Sequence, residues 1–278
     1  MASVMPAWTR KRRMRAPPSR SVLGDLRETL GLWRLAASLG WLDVKLRYRG
    51  SALGPFWLTL SSVVMMASMG VLYARLFQIN LHDYLPFLSV SQLLWQFGIA
   101  NIIQESCTCF TEAENSIRSI RLPFGLQSLR LLVRNGIVIA HNLIVPIGIF
   151  ALYDAWPGMI GLMSLPGLVL WSLDGFAACL FLGSLCARYR DLPPIVGAVL
   201  QVAFYITPVI WKPTQLGAKG WWLIYNPFYP LLEIVRAPLL GHVPDRTVVA
   251  VAVGVSVVFC MAALATFRHT RSRLAFWV

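Results

Sequence analysis

Six apolar runs, at 52–77, 85–103, 131–152, 159–187, 194–211 and 247–267, dominate this chain of 278 residues. Each is close to the roughly 20 residues that a helix needs to cross about 30 Å of hydrocarbon. Inside a bilayer the backbone must satisfy its own polar groups, and runs this continuous do so as helices. The composition agrees: hydrophobic types make up 57% and charged types 13%, with a mean hydropathy of +0.62. A soluble domain carries about a quarter charged residues, and disorder needs low hydrophobicity, so both classes are excluded. The fold class expected is an all-α membrane protein with six transmembrane helices.

The charges orient those helices. Lys and Arg number 25 against 12 Asp and Glu, a net charge of +13. With alternating crossings, 20 of the 25 basic residues fall on the side that holds both termini, and 5 on the other. Basic residues favour cytoplasmic loops, so both termini are expected in the cytoplasm of a multi-pass cytoplasmic (inner) membrane protein. The basic excess then needs no nucleic-acid partner. Cys107, Cys109, Cys179, Cys186 and Cys260 fall in no segment placed outside, and they read as reduced thiols.

Three regions follow. Residues 1–23 form a basic cytoplasmic tail attracted to anionic lipid; its Arg10-Lys-Arg-Arg-Met-Arg15 run has no apolar stretch behind it, so no cleavable signal is expected. Residues 24–49 read as an amphipathic interfacial helix, because Leu26, Leu30, Trp33, Ala37, Trp41 and Val44 recur at steps of three and four. Residues 50–278 hold the six crossings. Between the last two lies 212–246, too aromatic for a free loop and too rich in Pro to span. Asn226-Pro227 can start a short helix there and Gly241 can end it. Two half-helices re-entering the outer leaflet are the expectation, and non-helical backbone at that depth has to line protein or a water-filled path.

Catalytic signatures are missing. There is no phosphate-binding Gly-rich loop ending in Lys-Ser/Thr, no His-Glu-x-x-His, no Cys-x-x-Cys and no Gly-x-Ser-x-Gly. Cys107-Thr-Cys109 lacks further ligands at metal spacing, so no metal site is expected. The chain reads as non-catalytic. Residues 112–122 form a short helix ending at Pro123, with Ile117 and Ile120 on one edge and Arg118 and Arg121 on another, suited to docking in a soluble partner's groove. Asp174 lies in mid-span and should face protein or water, with His141, Asn142 and Gln201 as possible neighbours.

Several motifs, in order, resemble one family. Asp43-Val-Lys-Leu-Arg-Tyr-Arg-Gly-Ser-Ala-Leu-Gly-Pro-Phe-Trp57 is similar to the start of the first helix of type-2 ABC export permeases, above all those for O-antigen, capsular polysaccharide and teichoic acid. Glu114–Phe124 resembles their coupling-helix region, although Ile120-Arg121-Leu122 stands where the family often has a Lys pair. Arg188-Tyr-Arg-Asp-Leu192 resembles the turn between helices four and five. Thr207-Pro-Val-Ile-Trp211, Trp222-Leu-Ile-Tyr-Asn-Pro227 and Leu232-Glu-Ile-Val-Arg236 resemble the end of helix five and the external gate helices.

The resemblance implies a homodimeric permease that pairs with two copies of a nucleotide-binding ATPase. ATP and Mg bind that partner, and this chain holds no cofactor. Glu112, Glu114, Asn115, Ile117, Arg118, Ile120 and Arg121 would couple to the ATPase. Phe56, Trp57, Tyr73, Phe77, Phe204, Tyr205 and Trp211 would line a path for a lipid-linked glycan. Arg47 and Arg49 would meet its pyrophosphate headgroup, and Trp221, Trp222, Tyr225, Asn226, Glu233 and Arg236 would form the external gate. Rival readings are a small-molecule or drug exporter of the same family, a proton-driven secondary transporter using Asp174, and a membrane-embedded glycosyltransferase. The last would need Glu112, Glu114, His141 and Asp174 to converge.

Overall fold

A computed structural model describes residues 22–50, 54, 56–119 and 122–277. Among these residues every regular element is helical. Two helices, α1 (Val22–Gly31) and α2 (Trp33–Arg47), precede α3 (Phe56–Leu76). They are followed by α4 (Leu81–Leu93), a π-helical stretch at Leu94–Ala100, and α5 (Asn101–Thr108). A short α6 (Glu114–Ser119) leads to α7 (Gly125–Asn142) and α8 (Ile144–Tyr153). After a 3₁₀ stretch come α9 (Ser164–Arg188) and α10 (Leu192–Ile206). A longer 3₁₀ stretch, Pro213–Tyr225, then leads to α11 (Phe228–Leu239) and α12 (Arg246–Trp277).

The centre of the molecule is α9, which packs against α12, α5, α11 and α7. Its buried positions include Gly175, Ala177, Ala178, Cys179, Gly183, Ser184 and Ala187. In lipid, apolar side chains gain little by leaving the bilayer, so small residues that let helices approach closely carry the packing.

Among the described residues, four helical stretches are long and apolar enough to cross a membrane: Thr59–Leu76, Gly125–Tyr153, Gly158–Arg188 and Arg246–Leu274. The other two expected crossings differ in physical character. The run at 85–103 falls in helical chain that continues through α4, the π stretch and α5. Every residue from Pro86 to Trp95 is buried, including Ser89, Ser91 and Gln92. Its environment is protein on all sides, which explains its polar content. The run at 194–211 gives the shorter α10, which ends because Thr207 precedes Pro208 and adopts an extended conformation.

The π stretch has a visible cause. The indole of Trp171, from α9, lies against Gly98, where an added Cβ would come within 2.4 Å of the ring. That indole also donates to the Leu231 carbonyl at 2.8 Å, bringing α11 onto the same spot. A wider helical turn at a residue without a side chain makes room for the ring.

The amphipathic segment is two helices, and its faces divide labour in a way the periodicity does not reveal. Asp25, Thr29, Ala36 and Gly40 are buried, while Leu30, Trp33 and Trp41 stay exposed. The small-residue face packs on α7, and the aromatic face is left for another environment. In the outer segment the first expected half-helix is 3₁₀ and is kinked at Gly217, at φ 50°. The second is α11, entered after Asn226-Pro227 and left through Gly241 at φ 79°. The five cysteines are free thiols.

Candidate functional site

The densest charged cluster gathers where α2, α5, the turn before α6 and the start of α7 meet. Arg130 donates to both carboxylate oxygens of Asp43, from Nε at 2.6 Å and from Nη2 at 2.5 Å. Arg134, one helical turn on, donates to Glu105 at 2.8 Å and lies 3.9 Å from Asp43 and 4.0 Å from Glu112. Arg47 reaches the other oxygen of Glu105 at 2.9 Å. Asn135 also donates to Glu105, at 2.7 Å, and receives from Asn101. Three guanidinium groups therefore face three carboxylates. Burial pushes the Glu105 carboxyl up, but Arg134 beside it and the hydrogen bonds from Arg47, Asn135 and Arg134 outweigh this and hold it below the ordinary glutamate value.

Local sequence explains the geometry. Arg130 and Arg134 lie on one face of α7, four residues apart, and Asn135 on the flank beside them. Gly40 lets α2 approach, since a Cβ there would sit 2.9 Å from the Arg130 carbonyl and from Val133. Asp43, three residues on, is thereby brought under the Arg130 fork.

The expected coupling segment is only partly a free surface. Ile117 packs inward against the cluster of Phe110, Leu180 and Phe267, while Asn115 is exposed. Glu112 receives a hydrogen bond from Thr108 at 2.7 Å and faces Arg134. Glu114 is half-buried. The side chain of Arg118, and Ile120 and Arg121 altogether, lie outside the described residues.

The aromatic residues assigned to a path form two strips. On α3, Trp57 is 58% exposed, Phe56 meets the His141 ring edge-on at 5.3 Å, and Tyr73 stacks on Phe77 at 5.5 Å. On α10, Tyr205 is 60% exposed and touches Phe204, which packs on Trp95; Trp211 donates to the Tyr205 carbonyl. Of the two headgroup candidates, Arg47 is engaged with Glu105 and Arg49 is exposed.

At the opposite end, the gate candidates contain a buried ion pair. Arg236 is 1% exposed; it donates to Glu233, to the Pro208 carbonyl and to Ser91 at 3.2 Å, and lies 4.8 Å over the Phe87 ring. Asn226 bridges Thr207 and the Phe228 amide. Trp221 and Tyr225 are exposed and meet edge-on, with Trp222 nearby in sequence. A cleft of about 490 Å³ opens beside Arg236, between Asp83, Tyr153 and Lys212. Asp174 accepts from Ser256 at 2.7 Å and from Cys260 at 3.9 Å, both on α12, rather than from His141 or Asn142. Asn142 instead meets Thr59 of α3.

No family model matches the chain. Curated relatives do. The O-antigen export system permease protein RfbA of Myxococcus xanthus is 26% identical over 248 residues, covering 87% of this chain and 94% of the relative. A protein of the same name from Klebsiella pneumoniae is 21% identical over 235 residues, covering 84% and 90%. Along nearly its whole length the chain is similar to permease proteins of O-antigen export systems.

The sequence points to Glu112, Glu114 and Arg47, but Asp43, Glu105, Arg130 and Arg134 carry no signal as a group. They come from three separate stretches of chain. Their trace in the sequence is charge at the edges of the first three apolar runs: Asp43 before the first, Glu105 after the second, Arg130 and Arg134 at the start of the third. Arg236 was found by its motif, yet its burial was not legible from Pro-rich surroundings.

Proposed function

We propose that this permease exports a polysaccharide, an O-antigen, capsular or similar lipid-linked glycan, across the cytoplasmic membrane, driven by a separate ATPase subunit. One observation carries the reading: a match running nearly end to end with permeases of O-antigen export systems. The chain would act as a homodimer joined to two ATPase copies, with six crossings per copy and both termini in the cytoplasm. Helical chain from Leu81 to Thr108 supplies 28 residues, or about 42 Å at 1.5 Å per residue, which is ample for a second crossing. The fifth would be α10 with the residues after it, and Pro213–Tyr225 with α11 would form the external gate.

The exposed faces of α3 and α10 support two copies around a shared path. Phe56, Trp57, Val64 and Leu72 on one helix and Val199, Val202 and Tyr205 on the other are open in a single chain. Aromatic rings can cover the apolar C–H faces of sugars without reading their order, which a sliding polymer requires. The exposed Leu30, Trp33 and Trp41 of α1–α2 suit the headgroup layer, beside which a lipid-linked substrate would load. With Arg47 held by Glu105, Arg49 is the freer partner for a pyrophosphate.

The test is ATP-dependent uptake of a lipid-pyrophosphate glycan into inverted vesicles holding the permease and its ATPase. Trp57→Ala with Tyr205→Ala is expected to lower uptake while leaving assembly intact; undiminished uptake sinks the aromatic path. No uptake by the unsubstituted complex sinks the export reading itself. Glu114→Arg is expected to leave hydrolysis and remove export, and normal export by that variant would discard α6 as the contact.

A further inference from the structure

Glu112 occupies an unusual place. It sits in the turn between α5 and α6, its side chain is 59% exposed, and one oxygen stands 4.0 Å from the buried Arg134 guanidinium. Arg134 is 12% exposed and holds Glu105 at 2.8 Å, yet its Nε is buried without a hydrogen-bond partner. A cavity of about 40 Å³ lies between Glu112, Asp43, Arg130 and Arg134. That is room for a water or two, and so for a carboxylate to move inward. An open space with Arg134 on one side and an anion at its rim, 4.0 Å from the guanidinium, describes an ion pair with room to tighten.

We propose that Glu112 is a switch residue that closes on Arg134 when α6 is displaced, and thereby loosens the hold of Arg134 on Asp43 and Glu105. The inference rests on the export reading, because the displacing force would come from the ATPase. The reasoning is competition. One guanidinium has five N–H donors in a fixed fork, and three carboxylates face it. A third carboxylate drawn close lowers the hold on the other two. Asp43 belongs to α2, and Glu105 holds Arg47 of α2. The turn before α6 would thus be linked to the interfacial helix by charge, with no continuous backbone rod between them. Arg130 stays on Asp43 throughout, so α2 shifts without leaving α7. Glu112 is a positioning residue, since it touches neither glycan nor nucleotide.

The experiment uses the complete exporter, permease with ATPase, in lipid nanodiscs for label mobility and in vesicles for export. Ser38→Cys, on an exposed position of α2, carries a nitroxide label, and the permease without that cysteine gives the background. ATP is expected to change the label's mobility in the parent. Glu112→Gln keeps shape and exposure, and ATPase retention is read beside label mobility and export. The ATP-driven mobility change and export should both fall about tenfold, and Glu112→Asp should restore a large part of each. An unaltered mobility change and unaltered export in Glu112→Gln overturn the switch while leaving the export reading intact. Loss of the ATPase from Glu112→Gln also overturns it, since Glu112 would then be a docking contact. Absence of ATP-driven export in the parent overturns the export reading and the switch together.

Discussion

Arg130 on α7 grips Asp43 on α2 through two parallel hydrogen bonds, at 2.5 and 2.6 Å, from Nη2 and Nε. This fork fastens a helix that lies outside the bundle to one that runs through it. Both side chains are mostly shielded, at 27% and 13% exposure, so solvent screens the pair weakly.

Asp43→Ala should therefore cost about 1.5–3 kcal/mol, the usual contribution of hydrogen bonds to a charged group. The loss should appear as a lower thermal midpoint and as faster proteolysis between α2 and α3 in detergent. The exchange Asp43→Arg with Arg130→Asp should recover part of it. A double variant no better than the worse single one would show that packing at Gly40, and not the ion pair, holds α2.

At the other end, Arg236 is buried by Glu233, Ser91, the Pro208 carbonyl and the Phe87 ring. Arg236→Met leaves Glu233, 21% exposed, without its partner at the edge of the cleft. Breaking one partner of a buried pair typically costs about 3–5 kcal/mol. Denaturant unfolding in micelles should register that loss, with a smaller one for Glu233→Gln.

Gly98→Ala should destabilise by about 1–3 kcal/mol, because its methyl group would overlap the Trp171 ring. Trp171→Phe removes part of that ring and its bond to Leu231. Combined, the two substitutions should cost less than their sum, and a double-mutant cycle measured by thermal unfolding reads the difference. Strict additivity would mean that the π stretch relaxes by another route.

Glu105 sets a pH dependence. Its carboxyl is held below the ordinary value in the folded protein, so the folded state favours the charged form. The stabilisation is present above the ordinary glutamate range and is lost as pH falls through the lowered value. Glu105→Gln should be less stable at neutral pH and should lose less on acidification. Parallel pH–stability curves for parent and variant would remove Glu105 as a source of acid sensitivity.

Local pattern was enough to establish several features of this chain. Runs of apolar residues determine an all-helical membrane protein, because an unbroken apolar stretch has no other way to satisfy its backbone in lipid. Asn226-Pro227 opening α11 and Gly241 closing it were legible for the same reason: each acts through its own backbone. Tertiary structure decided what local pattern does not encode. It buried the stretch from Pro86 to Trp95 among other helices, turned the small face of α2 inward and its tryptophans outward, and paired Asp174 with Ser256. It also gathered Asp43, Glu112, Arg130 and Arg134 from distant parts of the chain around one small cavity and set Glu105 against Arg134. Charge attraction acts through space and depends on which helices become neighbours, and that follows from packing rather than from any spacing along the chain.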